Sequence, residues 1–114
     1  MAKTKIIQVG KEAINDEPIL ILFGKTATPE LAKYSIIQEK IDDQEIQLAV
    51  GSEIHFGEQV YRVTSIGEAA NQNLNAIEHA SLLFKKNEDK IANGIYLSPE
   101  EMPRIEVGME ISFL

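Results

Sequence analysis

Hydrophobic and polar residues alternate in short runs along this chain, and glycine, proline or clustered acids break each run after a few residues. Residues 60–66 set Tyr61, Val63 and Ser65 on one face against Arg62, Thr64 and Ile66 on the other, which is the period of a strand. Gly67 closes that strand. Residues 68–78 hold no Gly or Pro and place Ala70, Leu74 and Ile77 at i, i+4 and i+7, one face of a short helix. His79 follows, and the apolar run 80–84 predicts another strand. This strand–helix–strand unit is the centre of the pattern.

Upstream, residues 5–9 predict a strand with Gly10 as its stop, and Asn15-Asp16-Glu17-Pro18 a turn. Residues 19–23 are continuously apolar, as in a strand buried on both faces, and Gly24 ends them. Thr28-Pro29-Glu30 starts a short helix that ends near Tyr34: Thr can cap, Pro tolerates the first helical position, and an acid suits the positive end of the dipole. Strands follow at 34–39 and 46–50, separated by a loop tip carrying Asp42, Asp43 and Glu45. Residues 53–56 and 60–66 form a hairpin turning at Gly57. Beyond the centre come a charged loop at 85–90 and a short strand at 91–97, broken at Asn93-Gly94. Ser98-Pro99-Glu100 repeats the capping pattern and predicts a second helical turn, with Glu100 and Glu101 as its N-terminal acids and Pro103 as its end. Residues 109–114 are the closing strand. The expected fold is mainly β: a small barrel or sandwich of about eight short strands with one short helix at 68–78 and one or two helical turns.

Composition narrows the function. The 114 residues suit one domain, 1–114, able to bury roughly 60–70% of its unfolded surface. With no cysteine, disulfides, thiol nucleophiles and thiolate metal sites are excluded, as befits a cytoplasmic protein. No apolar run approaches the ~20 residues that cross a bilayer, so the chain is not expected to be membrane-embedded, and the N-terminus lacks the apolar core of a signal peptide. The net charge of −7 argues against nucleic acid. It suits either a partner with a basic face or plain solubility.

The order of motifs is more specific than any one of them. Val63-Thr64-Ser65-Ile66-Gly67, then Asn73-Leu74, His79 and the run 82–84 resemble the central block of the glucitol/sorbitol-specific IIA component of the bacterial sugar phosphotransferase system (PTS). Thr28-Pro29-Glu30-Leu31 through Tyr34 resembles that family's A-P-x-x-L-x-x-Y segment. Val50-Gly51, Gly57, Tyr61 and Val63 fall at matching spacing, and Gly108 to Phe113 resembles its last strand, G-x-x-I-x-F. The resemblance implies a β-barrel with small helical insertions. It implies a component (EIIA) that takes a phosphoryl group from phosphorylated HPr on a histidine and passes it to the sugar-specific transporter subunits. No metal, nucleotide or other cofactor is required.

Histidine suits this relay because a neutral ring nitrogen is nucleophilic and the N–P bond it forms is labile enough to be passed on. In the family the phosphorylated residue lies directly behind an apolar pair on the strand after the Pro-containing turn. Here the pair is Ile36-Ile37, and the next residue is Gln38, whose amide nitrogen is not nucleophilic. Gln38 thus stands at the position of the family's phosphohistidine. His79 matches a family position: it is either a site residue, replacing or assisting the acceptor, or a partly buried ring that bonds backbone at the helix end. His55 suits a solvent-facing or cross-strand role. The three acids at the 42–45 tip suit a solvated loop rather than a cation site. Arg62 and Arg104 suit surface ion pairs, with phosphate or carboxylate contacts as the alternative. Three readings stay open: a phosphocarrier using His79, a phosphoryl-incompetent relative acting as a binding or regulatory module, and a barrel with an unrelated small ligand.

Overall fold

The computed structural model describes residues 2–86 and 91–114. Among these, the strands are β1 (Ala2–Val9), β2 (Ile19–Phe23), β3 (Ile36–Lys40), β4 (Glu53–Phe56), β5 (Gln59–Ile66), β6 (Ala80–Leu83), β7 (Gly94–Ser98) and β8 (Glu110–Phe113). The helices are α1 (Pro29–Lys33) and α2 (Ala70–Ile77). The strands close a barrel in the order β1-β3-β2-β6-β7-β5-β4-β8. Most neighbours are antiparallel; β2 with β3 and β6 with β7 are parallel. The mainly β fold with a short central helix is as the pattern predicts.

Alternation builds the core. Ile6 from β1, Ile54 and Phe56 from β4, Tyr61 and Val63 from β5, and Ile111 and Phe113 from β8 all face inward and are buried. Phe56, Tyr61 and Phe84 form a cluster with ring centroids 5.1–6.3 Å apart. The Tyr61 hydroxyl donates to Glu101 O at 2.8 Å, and burial, with the nearby Glu101, holds its pKa above the usual phenol value. The continuous run of β2 buries only Leu20 and Leu22 fully; Ile19, Ile21 and Phe23 are half-buried. The β4–β5 hairpin turns over Gly57-Glu58, and Gly57 takes φ 62°, which a type II′ turn requires at its first central residue. Thr28 caps α1 by accepting from Leu31 N, with Pro29 in the first turn. α1 buries none of its residues.

Three local expectations are corrected. Residues 46–50 are extended in sequence pattern but pair with no strand. Their partners are side chains of α2. Asn75 accepts from Ile46 N at 2.7 Å and donates to Ile46 O at 2.8 Å; Asn71 does the same for Leu48 at 2.9 and 2.8 Å. The spacing explains the fit. Four helical residues rise about 6 Å and two extended residues about 6.6 Å, so amides at i and i+4 meet alternate residues of an extended strap. Ile46 and Leu48 are thereby buried beside Leu74 in the core.

The second correction is at Ser98-Pro99-Glu100, where no helical turn forms. A helix starting at Pro99 would need an N–H from residue 103 to reach the Pro99 carbonyl, and Pro103 has none. That carbonyl instead accepts from Glu101 N at 2.9 Å in a tighter turn, and the Ser98–Pro99 peptide is cis. Third, β7 begins only at Gly94: Ile91 and Ala92 give their carbonyls to Gly94 and Ala69 in turn and connection contacts, and Asn93 O takes the first bond from β6, from Ser81 N. Part of the predicted charged loop, 87–90, lies outside the described residues.

Two substitutions on α2 test this packing by denaturant unfolding. Leu74→Ala is expected to cost about 2–5 kcal/mol, the loss for a buried leucine. Asn75→Ala is expected to cost about 1–3 kcal/mol, because both backbone groups of Ile46 lose their partner. The exposed Gln72→Ala on the same helix should stay within about 0.5 kcal/mol. An Asn75→Ala loss no larger than that of Gln72→Ala would show that water serves Ile46 equally well.

Candidate functional site

The last turn of α2 delivers its chain to β6 through a left-handed residue. Glu78 has φ 54° and ψ 32°, a conformation that costs a side-chain-bearing residue about 1–2 kcal/mol. Its N–H reaches Leu74 O at 3.1 Å, and the His79 N–H reaches Asn73 O at 3.2 Å. The elbow is therefore tied back to the helix on one side.

On the other side it meets the C-terminal end of β2. The Gly24 N–H donates to Ile77 O at 3.0 Å, and a Cβ at Gly24 would collide with that carbonyl and with Glu78 Oε2. Only glycine permits this approach. The Glu78 carboxyl lies folded against the backbone here. Its pKa is raised by burial, with the Lys40 ammonium opposing the shift.

His79 is half-buried in the same junction. Its Nδ1 donates to Leu22 O at 2.9 Å, and its ring packs against Phe23 with centroids 4.4 Å apart and planes 34° apart. A carbonyl oxygen only accepts, so Nδ1 carries the proton and, in the neutral ring, Nε2 holds the free lone pair. Among the described residues no buried side-chain nitrogen or oxygen lacks a partner. Among the described residues Nε2 has no hydrogen-bond partner, and it is therefore not a buried atom but one that reaches solvent.

Gln38 comes to this elbow from β3. It is fully buried, 0% exposed, and so is Thr4 on the adjacent β1. The Thr4 hydroxyl donates to Gln38 Oε1 at 2.6 Å, and Gln38 Nε2 donates to Glu78 O at 3.0 Å. The two positions singled out from sequence, Gln38 and His79, thus converge on one peptide unit, that joining Glu78 to His79. The sequence reading missed Thr4 and Glu78. Thr4 is a polar residue at an inward position of a strand between Ala2 and Ile6, which demands a buried partner. Glu78 sits just past the last apolar residue of the helix, where a left-handed residue is common.

The remaining candidates lie elsewhere. His55 projects from β4, where its Nε2 meets Glu53 Oε1 at 2.8 Å, and Arg62 from the paired strand meets Glu53 Oε2 at 3.1 Å. The His55 hydrogen bond, helped by Arg62, holds the Glu53 carboxyl below the usual carboxylate pKa. Arg104 makes an exposed ion pair with Glu106 at 3.2 Å. Asp42 caps its own loop, accepting from Lys3 N and Gln44 N at 2.9 and 3.0 Å. A cleft of about 450 Å³ opens between Ser65–Glu68 and Ile91–Ala92, and neither Gln38 nor His79 lines it.

Comparison with known proteins agrees with this architecture. Residues 1–112 match the sequence model of the PTS system glucitol/sorbitol-specific IIA component. The chain is also similar to a PTS system IIA component from Enterococcus faecalis V583 in its crystal structure. The two are 37% identical, 98% of each chain is covered, and the TM-score is 0.92. No curated protein gives a significant match. No helix among the described residues is long and apolar enough to cross a membrane. A match over nearly the whole length, with the same closed barrel, carries one conclusion: the chain belongs to the glucitol/sorbitol-specific IIA component family of the phosphotransferase system.

Proposed function

We propose that this chain is a single-domain cytoplasmic phosphocarrier, that it receives a phosphoryl group from phosphorylated HPr and hands it to the sugar-specific transporter subunits, and that Nε2 of His79 is the acceptor. Family membership supports the phosphotransfer role. One observation supports the residue: His79 Nδ1 is engaged with Leu22 O at 2.9 Å, while Nε2 has no partner among the described residues. A phosphoryl acceptor needs one nitrogen with a free lone pair and a ring held still, and this bond supplies both.

The chemistry follows from the ring. The Nε2 lone pair attacks phosphorus; a new N–P bond forms, and the bond from phosphorus to the donor breaks with its electron pair leaving on the donor. The ring gains positive charge as it is phosphorylated. Nδ1–H shares that charge with the Leu22 carbonyl, and the Phe23 face beside the ring favours it further. Transfer to the next component reverses the same step. Nothing in the sequence reads as a phosphate-binding glycine loop, so donor groups around the phosphoryl oxygens come from the docked partner and from backbone at the elbow.

A second reading has its own support. Gln38 is buried, both ends of its amide are engaged, and an amide cannot carry phosphate. A relative that keeps the fold and the docking surface without the chemistry would look the same at this position.

The deciding experiment is incubation of the full chain with phosphorylated HPr, scored as acid-labile, base-stable phosphate. The natural protein is expected to label, His79→Ala to fall to background, and His55→Ala to label normally. An unlabelled natural protein that gains phosphate as Gln38→His would overturn the relay and establish the incompetent reading. Label lost only in His55→Ala would move the acceptor to β4.

Docking gives an independent check. With a net charge of −7, the chain should bind a basic face of its partner less tightly as salt rises, since exposed charges are screened beyond ~10 Å at 0.1 M. Calorimetric titration with HPr at low and high ionic strength measures this. An affinity that ignores salt would remove electrostatics from the encounter.

A further inference from the structure

We infer that Gln38 is a positioning residue for His79: its amide holds the Glu78 carbonyl, and through that peptide it fixes which nitrogen of the His79 ring faces solvent. The inference rests on the relay reading for its catalytic meaning, and on geometry alone for its structural part.

The chain of contacts is continuous. Thr4 Oγ1 donates to Gln38 Oε1 at 2.6 Å, which orients the amide so that Nε2 faces the elbow. Gln38 Nε2 then donates to Glu78 O at 3.0 Å. That carbonyl belongs to the peptide whose nitrogen is His79 N, so holding it holds the first bond of the His79 backbone. Glu78 is in the left-handed region at φ 54°, which a side-chain-bearing residue leaves readily when nothing restrains it. The N–H groups of Glu78 and His79 restrain the elbow toward the helix, and among the described residues the Gln38 amide is the side-chain group bonded to its outward carbonyl. If that bond is lost, the peptide keeps only the His79 N–H bond to Asn73 O, its carbonyl side is loosened, and the His79 ring is held less firmly in register with Leu22 O. The ring then samples both tautomers, and Nε2 is no longer the sole nucleophile.

The hydrogen bonds of Gln38 go to Thr4 and Glu78 O and not to the His79 ring. Its effect is read on the ring, not only on activity. Gln38→Met keeps length and apolar volume but removes both the donor and the acceptor. Thr4→Val is milder: it frees the amide while leaving it able to reach Glu78 O. The probe is the pair of His79 ring ¹⁵N shifts in the full-length protein, recorded by long-range proton–nitrogen correlation with no partner present. Phosphate uptake from phosphorylated HPr is measured alongside.

The natural protein is expected to show protonated Nδ1 and bare Nε2. Gln38→Met is expected to mix the tautomers and slow phosphate uptake by about 10- to 100-fold, the size of loss a small misplacement of a reacting group brings. Thr4→Val should shift the same way by less, and it carries the test if Gln38→Met does not fold. Ring shifts unchanged in a folded Gln38→Met, or in Thr4→Val where Gln38→Met does not fold, would overturn the inference even if the natural chain is phosphorylated. A natural chain that takes no phosphate, with the tautomer change still seen in Gln38→Met, would instead end the relay reading and leave the positioning role established.

Discussion

Buried backbone groups must find hydrogen-bond partners, and the strands of this barrel do not supply all of them. Three places stand out. The strap at Ile46 and Leu48 has no neighbouring strand, and Asn75 and Asn71 of α2 complete it. The Glu78 carbonyl leaves the helix with no acceptor's role inside it, and Gln38 completes it. The Leu22 carbonyl near the end of β2, where the strand pairs with Ala80 of β6, additionally accepts from the His79 ring. At the first two places side-chain amides do the work of missing backbone bonds, at the third the imidazole adds one, and all of them gather around α2. Removing any one of these amides strands a polar backbone group away from water, a loss of about 1–3 kcal/mol.

This constraint links stability to chemistry at His79. A histidine tied to backbone is often read as structural and therefore not reactive. Here the tie is made by one nitrogen only. Engagement of Nδ1 fixes the tautomer, and it is the reason Nε2 is the nitrogen left with a lone pair. The Phe23 contact then limits rotation of the ring. In the proposed relay, the structural bond and the free lone pair of Nε2 are two consequences of the same hydrogen bond.

Much of this was legible in the sequence, and the limits have physical causes. Inward and outward alternation in β4, β5 and β8 gave the strands, and Gly57 gave the hairpin, because each depends on residues close in sequence. The 46–50 run satisfied the same local pattern and still became a strap, because its partner is a pair of asparagines on a helix that alternation cannot see. The Ser98-Pro99-Glu100 turn failed for a reason that was present in the sequence: Pro103 removes the N–H that a first helical turn needs. His79 at a helix-to-strand junction, bonding backbone, was legible in kind; that the carbonyl belongs to Leu22 was not. Gln38 was legible as an amide where a nucleophile stands in the family. Its complete burial was not, because Ile36 and Ile37 are both apolar and leave the inward face of β3 ambiguous.

The same geometry bears on what position 38 can do. Its side chain bridges a donor, the Thr4 hydroxyl, and an acceptor, the Glu78 carbonyl. An amide has one group of each kind and fits both. A neutral imidazole also has one donor and one acceptor nitrogen, and could replace it without leaving either partner bare. In those two bonds, however, one ring nitrogen would be donating to Glu78 O and the other accepting from Thr4, and no lone pair would remain for phosphorus. An imidazole at 38 becomes nucleophilic only by giving up one of its partners, and each partner is buried. At position 79 the ring gives up nothing, because its one bond is to Leu22 O through Nδ1 and the second nitrogen already faces solvent. In this chain the side chain at position 38 is engaged at both ends, while the ring at position 79 keeps one nitrogen toward solvent.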